Sequence, residues 1–334
     1  MFGFFRTLLA LAVVLEHLGP AHYIGPYAVF GFYVLSGYLM TLIVHETYGY
    51  TARGVLRYAI NRWLRIFPIY YLAALISLVL VTLLGEPLTR SFHENIGLPS
   101  TMNEVARNVG LLLSIHTDTR LVPPAWALSV ECAYYLMIGL GISKHFVTTM
   151  IWLLGSVLYT AYLVSGDASF SYRYYTIAAA SLPFAMGAAI YHLKSRMLLP
   201  MRLLGGNRAL LVLVSAVAAN YLFAITGNTK AAVTLHFYAN MAIMALLIIQ
   251  LSGRASGKLR QLDSIVGDLS YPIYLIHFQA GLIVITLVPS LARGSIEFLL
   301  LALPVVLALA WSLSRLVEAP IDSLRSAIRR VAKA

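Results

Sequence analysis

The sequence predicts an all-α, polytopic membrane protein of about ten transmembrane helices, with both termini on the cytoplasmic side. Three observations predict it. The chain is 60% hydrophobic and only 11% charged over 334 residues, whereas soluble domains carry about 25% charged residues. Its apolar residues fall in blocks of about 20, long enough to cross ~30 Å of hydrocarbon as helix. Cations are dense in alternate segments between the blocks, as the positive-inside rule requires.

The blocks lie at approximately 4–22, 27–46, 66–85, 121–141, 146–165, 174–192, 207–225, 232–252, 270–290 and 296–317. They are rich in Leu, Ala, Val and Ile and lack the two-residue alternation of an outer-membrane barrel. With the N-terminus inside, the cytoplasmic segments hold Arg6; Arg53, Arg57, Arg62 and Arg65; Lys144; Lys194, Arg196, Arg202 and Arg208; Arg254, Lys258 and Arg260; and Arg315, Arg325, Arg329, Arg330 and Lys333. That is eighteen of the 24 Lys and Arg. The opposite face holds Arg90, Arg107, Arg120, Arg173, Lys230 and Arg293. The net charge of +11 is then mostly a topology signal, although it also suits an anionic cytoplasmic ligand. The first block reads as a retained helix, because it is long, carries Glu16 and His17 and lacks a small-residue cleavage site. The single cysteine, Cys132, excludes an intrachain disulfide. The longest extramembrane segment, about 86–120, includes a short apolar piece from Val105 to Ile115 that suits the interface or a re-entrant turn. No stretch is long and polar enough for a soluble domain, so one transmembrane domain over 1–334 is expected.

Within the first block, Arg6 and His17 are eleven residues apart. Eleven helical steps bring His17 back to within about 20° of Arg6 and about 16 Å further along the axis. Arg6 then sits at one membrane face and His17 deep in the hydrocarbon, where an ionisable group is costly and marks a functional candidate. Glu16 is one step, about 100°, off that stripe, and its role stays open. In the second block, Ser36-Gly37 in mid-span lets another backbone approach closely, and Tyr38 offers a hydroxyl.

Arg62 and Arg65 are three apart on one helical face before the third block. Two guanidiniums there can hold phosphate oxygens through forked hydrogen bonds, or anchor the helix on lipid phosphates. Pro68, just inside, bends or initiates the helix. The fourth block opens at Pro123-Pro124-Ala125-Trp126, which marks the outer interface. Glu131 follows about seven residues in, roughly 10 Å below that surface. His17 climbs to a similar depth from the other face, so the topology permits contact between them. In the ninth block Tyr274 and His277 share a face, with Tyr271 one turn below. The tail after Glu318-Ala319-Pro320 reads as a basic interfacial helix.

The remaining histidines, His22, His45, His93, His116, His145, His192 and His236, show no metal-ligand spacing. No nucleophile elbow or phosphate-cradling glycine loop occurs. The basic residues follow the membrane face rather than a soluble module, which gives a nucleic-acid partner no support.

Together these motifs resemble the acyltransferase-3 family of integral membrane acyltransferases. The blocks that carry the resemblance are Arg6 with His17, Phe32 to Leu39, Arg62 to Pro68, Trp126 to Glu131, and Ser270 to His277, with Glu318 and Pro320 matching the closing motif. They run in the expected order along nearly the whole chain. Asn61 stands where the family often has a first arginine, and Cys132-Ala133 follow Glu131 where an acidic residue and Gln are common. The chain resembles the membrane-only members, without the soluble hydrolase-like domain.

The resemblance implies an acyl-CoA donor, most often acetyl-CoA, entering from the cytoplasm, and a glycan hydroxyl as acceptor. The setting it implies is the bacterial inner (cytoplasmic) membrane. In that framework Arg62 and Arg65, with Arg6, hold CoA phosphates. His17 acts as general base or transient acyl carrier, and Glu131 orients or recharges it. Tyr38, Tyr274 and His277 line the tunnel or hydrogen-bond the thioester oxygen. The competing reading is a proton-coupled transporter of a glycan precursor or small anion, which also uses intramembrane His and Glu. Against it, no pair of broken spans suggests an inverted repeat. A scaffold subunit of a polysaccharide-export complex would not need buried ionisable groups at matched depth. Small-residue faces leave a homo-oligomer open.

Overall fold

The computed structural model describes residues 1–111, 118–196, 206–227, 229–252 and 257–333. Arg202, Arg254, His116, the end of the 105–115 piece and the side chain of Lys333 lie outside that description.

The protein is all-α. Among the described residues the only extended pairing is an isolated bridge between Ile96 and Arg120. The helices are α1 (Phe2–Leu18), α2 (Ile24–Ile43), α3 (Ala52–Leu84), α4 (Glu86–Phe92), α5 (Met102–Gly110), α6 (Ala125–Leu140) and α7 (Phe146–Ser165). They continue as α8 (Phe170–Tyr175), α9 (Ser181–Ser195), α10 (Asn207–Thr226), α11 (Lys230–Leu251), α12 (Gly257–Leu287), α13 (Ile296–Leu313) and α14 (Ala319–Lys333). A helix underlies each apolar block. Seven stretches are long and apolar enough to cross a membrane: Ile24–Tyr48, Ala52–Leu84, Phe146–Ser165, Asn207–Thr226, Lys230–Leu251, Gly257–Leu287 and Ile296–Arg330. The helices α1, α6 and α9, of 17, 16 and 15 residues, are shorter.

Pro68 neither starts nor ends a helix. α3 begins at Ala52, after a cap in which Thr51 accepts from the Gly54 amide, and runs through Pro68 to Leu84. Arg62 and Arg65 therefore sit on a helix already three turns old, which fixes their directions. α12 likewise continues through Pro272.

Two close crossings set the frame. A Cβ on Gly37 would run into the Phe184 carbonyl, and one on Gly187 into the Val34 carbonyl. Small residues facing each other in this way let α2 and α9 pack backbone to backbone, as membrane helices commonly do. α1 lies against α12, where a Cβ on Gly3 would strike the Asp263 carbonyl and one on Gly267 would crowd Gly3. The Asp263 carboxylate accepts from the Gly3 and Phe4 amides at 3.1 and 2.9 Å. It satisfies orphan donors at the start of α1 and opposes the positive end of the helix dipole. α1 is thereby locked in register with α12.

The segment between α3 and α6 folds over the far end of α1. Thr101 and Glu104 form a capping box at α5. Glu104 also accepts from the amides of Ser100 and Thr119, and the amide of Ser100 is the main reason its carboxyl is held down to about 2. Arg107 pairs with Asp118 at 2.8 Å, and the hydroxyls of Tyr70 and Ser77 on α3 donate to the carbonyls of Asn108 and Leu121.

Candidate active site

The α1–α12 lock aligns two histidines. His17, the penultimate residue of α1, has its Nδ1 2.9 Å from Nε2 of the fully buried His277 on α12. The two ring planes are within 4° of parallel, with centroids 5.1 Å apart. On its other side His277 Nδ1 lies 2.8 Å from the Tyr274 carbonyl. A carbonyl oxygen can only accept, so His277 Nδ1 carries a proton. A neutral imidazole holds one N–H, which leaves Nε2 as an acceptor for His17 Nδ1–H. His17 Nε2 is then the bare nitrogen of the pair. Phe278 packs against both rings, with centroids 4.8 and 4.6 Å away. Arg293 closes the end of α1 by donating to the His17 carbonyl at 3.0 Å and to the Phe92 carbonyl. A cation on a terminal carbonyl is favourable for the helix dipole.

His17 forms part of the wall of a cavity of about 260 Å³ at this end of the bundle. Glu16, Trp126, Tyr174, Tyr175 and Tyr274 also line it, and among the described residues no Lys or Arg does.

A second cavity, of about 120 Å³, lies toward the start of α1. Arg6, Arg62 and Arg65 line it together with Ser36, Glu131, Tyr135, Ser270 and Tyr271. Val29 and Tyr274 line both cavities and stand between them. Glu131 accepts from the hydroxyls of Tyr135 at 2.8 Å and Ser36 at 3.2 Å. Arg62 donates to Asn61 Oδ1 at 3.0 Å and approaches the Met40 sulfur at 3.6 Å. The Asn61 amide in turn donates to the Arg325 carbonyl at 2.9 Å, which ties the tail helix to α3. Arg65 is ion-paired with Glu318. The Nε–H groups of Arg6 and Arg62 are buried without a protein partner. Buried donors of this kind cost stability unless something accepts from them, so the cavity is suited to an anion.

Several sequence expectations change here. Glu131 and His17 lie in different cavities, and the partner of His17 is His277. Glu131 is hydrogen-bonded by Ser36 on α2, while His17 faces His277 on α12. His277 does not present itself to a ligand, since its two nitrogens are used by His17 and the Tyr274 carbonyl. The Tyr38 ring packs on Phe2 at 5.8 Å and is not among the residues lining the arginine cavity. Tyr274 does reach both cavities, with its hydroxyl donating to the Pro124 carbonyl at 2.9 Å. Arg6, Arg62 and Arg65, which the family resemblance grouped, line one cavity. Tyr135 and Arg293 escaped the sequence reading. Tyr135 is one turn beyond Glu131 on the same face, and that spacing was visible; nothing in the sequence aimed Arg293 at His17.

No curated protein and no solved structure matches the chain. Residues 2–315, almost all of it, match the family model described as an acyltransferase domain, Acyl_transf_3. With that match, and with helices long and apolar enough to cross a membrane, the protein is a membrane acyltransferase, and the chain belongs to the acyltransferase-3 family.

Proposed function

We propose that the protein transfers an acyl group, most simply acetyl, from acyl-CoA to a sugar hydroxyl of a cell-surface polysaccharide, lipopolysaccharide or lipid-linked glycan. The observation that carries this reading is the tautomer chain from the Tyr274 carbonyl through His277 to His17, which leaves His17 Nε2 bare in the wall of a cavity. Support for the donor comes from the second cavity, where Arg6 and Arg62 have buried N–H groups without partners. Phosphate oxygens satisfy such donors well.

In this reading His17 Nε2 takes the proton of the acceptor hydroxyl as its oxygen attacks the thioester carbonyl carbon. The tetrahedral intermediate collapses by breaking the C–S bond. The departing thiolate then takes the proton back from His17, giving the ester and CoA. His277 Nε2 continues to accept from His17 Nδ1–H and so stabilises the transient imidazolium, the part played by the carboxylate in a serine-protease triad. Glu131, in the donor cavity, accepts from amide N–H groups of the pantetheine arm, and Tyr274 stands where that arm passes toward His17. The arginine end faces the cytoplasm of a bacterial inner membrane, in keeping with the distribution of Lys and Arg along the chain.

The test uses the purified full chain in lipid nanodiscs with radiolabelled acetyl-CoA and glycan acceptors. His17→Ala is expected to abolish transfer while remaining folded and membrane-inserted. Normal transfer by that variant would sink the mechanism.

A further inference from the structure

Glu16 is an acid that the proposed chemistry leaves unused, and it lines the same cavity as His17. Its Oε2 accepts from the Gly25 amide at the start of α2, which fixes the carboxylate against the cavity wall. Facing it is a compact aromatic cluster. The rings of Trp126, Tyr174 and Tyr175 meet pairwise at steep angles of 65–69°, with centroids 4.6 to 4.9 Å apart. Trp126 opens α6, and the two tyrosines end the short helix α8. This short helix has little reason to form alone. It is held by the Ser169 cap and by Arg173, which donates to the Ala168 carbonyl and to Thr234 on α11.

The chemistry of this lining differs from that of the arginine cavity. It holds one carboxylate and a set of aromatic, partly hydroxyl-bearing rings, and among the described residues no cation. A phosphate-bearing ligand is disfavoured by the carboxylate. The electron-rich face of an indole instead suits the slightly positive C–H face of a pyranose ring, and a carboxylate accepts from the hydroxyls at its rim. The size, about 260 Å³, suits one sugar unit rather than an extended chain.

We propose that this cavity is the acceptor subsite: Trp126 stacks on a sugar ring while Glu16 accepts from one of its hydroxyls and turns the neighbouring hydroxyl toward His17. The inference rests on the sugar O-acylation reading above. Glu16 and Trp126 are positioning residues for the acceptor. Because Glu16 and His17 are consecutive on α1, the hydroxyl that Glu16 holds determines which hydroxyl reaches the base.

The test measures acetyl transfer from acetyl-CoA to a panel of methyl glycosides by the full chain in nanodiscs. Trp126→Ala is expected to raise the glycoside KM by about tenfold or more, with the acetyl-CoA KM essentially unchanged and Trp126→Phe restoring most of the loss. Glu16→Gln is expected to raise the same KM and to change the position acetylated, read by NMR of the product. Should Trp126→Ala fail to fold, Tyr175→Ala and Glu16→Gln carry the same expectation. Unchanged glycoside KM and unchanged regiochemistry in the folded variants would overturn the subsite. Equal rises in both KM values would also overturn it, since they mark Trp126 as a scaffold residue only. A wild type that releases CoA but acetylates no glycoside would remove the sugar reading itself, a failure recognisable without any variant.

Discussion

His17 and His277 share one proton line, because the Tyr274 carbonyl fixes the tautomer of His277 and His277 fixes that of His17. Removing the second ring leaves His17 Nδ1–H without an acceptor and the first ring without an orientation. His277→Ala is therefore expected to lower kcat by about 100-fold with little change in either KM. His277→Gln, which retains an acceptor oxygen, should recover part of it. A kcat within twofold of wild type in His277→Ala would remove the second histidine from the chemistry.

Arg62 and Arg65 are expected to differ although both line the donor cavity. The hydrogen bonds of Arg62 go to the neutral Asn61 and Met40, so Arg62→Ala should raise the acyl-CoA KM without unfolding the protein. Arg65 neutralises buried Glu318, and its removal leaves a buried carboxylate unpaired at a cost of about 3 kcal/mol. Thermal unfolding in nanodiscs should show Arg65→Ala well below wild type, and Arg65→Ala with Glu318→Gln close to it. A double variant no more stable than the single would deny the pairing its structural part.

Glu131→Gln separates two roles for the acid. In the donor-arm role it raises the acyl-CoA KM several-fold and leaves the pH dependence of kcat unchanged, since His17 keeps its own partner. A large kcat loss at unchanged KM would return Glu131 to proton transfer.

The loop over the site should loosen in acid. Burial, then the charges of Arg293 and Arg120, push His93 down to about 4. Its ring packs edge-on against Phe278 at 4.8 Å, and its Nδ1 accepts from the Asn95 amide at 3.3 Å. A histidine depressed in the folded state stabilises that state fully above its ordinary value near 6.5. The contribution, ~3 kcal/mol, is lost as the pH falls from there toward about 4. Amide hydrogen exchange around residues 90–97 is expected to accelerate over that window, and His93→Gln to abolish the acceleration. Exchange independent of pH in the wild type, after correction for the intrinsic rate, would contradict it.

How far the sequence carried this picture depends on what kind of constraint each feature obeys. Hydrocarbon imposes a length on any helix that crosses it, so the apolar blocks were visible one by one. Where helices begin was less visible, because hydropathy marks the lipid-facing part of α3 and α12 and not the charged turns that precede it. His17 stood out because an ionisable group in mid-span is costly. Its partner did not, because sequence gives height along a helix but not which neighbour the helix faces. Glu131 and His277 were both buried and ionisable at plausible depth. Only the α1–α12 lock through Gly3, Gly267 and Asp263 decides between them. The Asn61 contact was hidden for a related reason, since its partner is a backbone carbonyl 264 positions away.

Val29 and Tyr274 belong to the walls of both cavities, and that shared partition has a consequence for the membrane itself. A bundle with a polar chamber at each end is one thin septum away from being a water pore. The isopropyl group of Val29 and the phenol ring of Tyr274, its hydroxyl held by the Pro124 carbonyl, are then the groups expected to keep water in one chamber from meeting water in the other. Thinning the septum, as in Val29→Gly with Tyr274→Ala, should make proteoliposomes leak protons, and proteoliposomes as tight as wild type would deny the two residues that part.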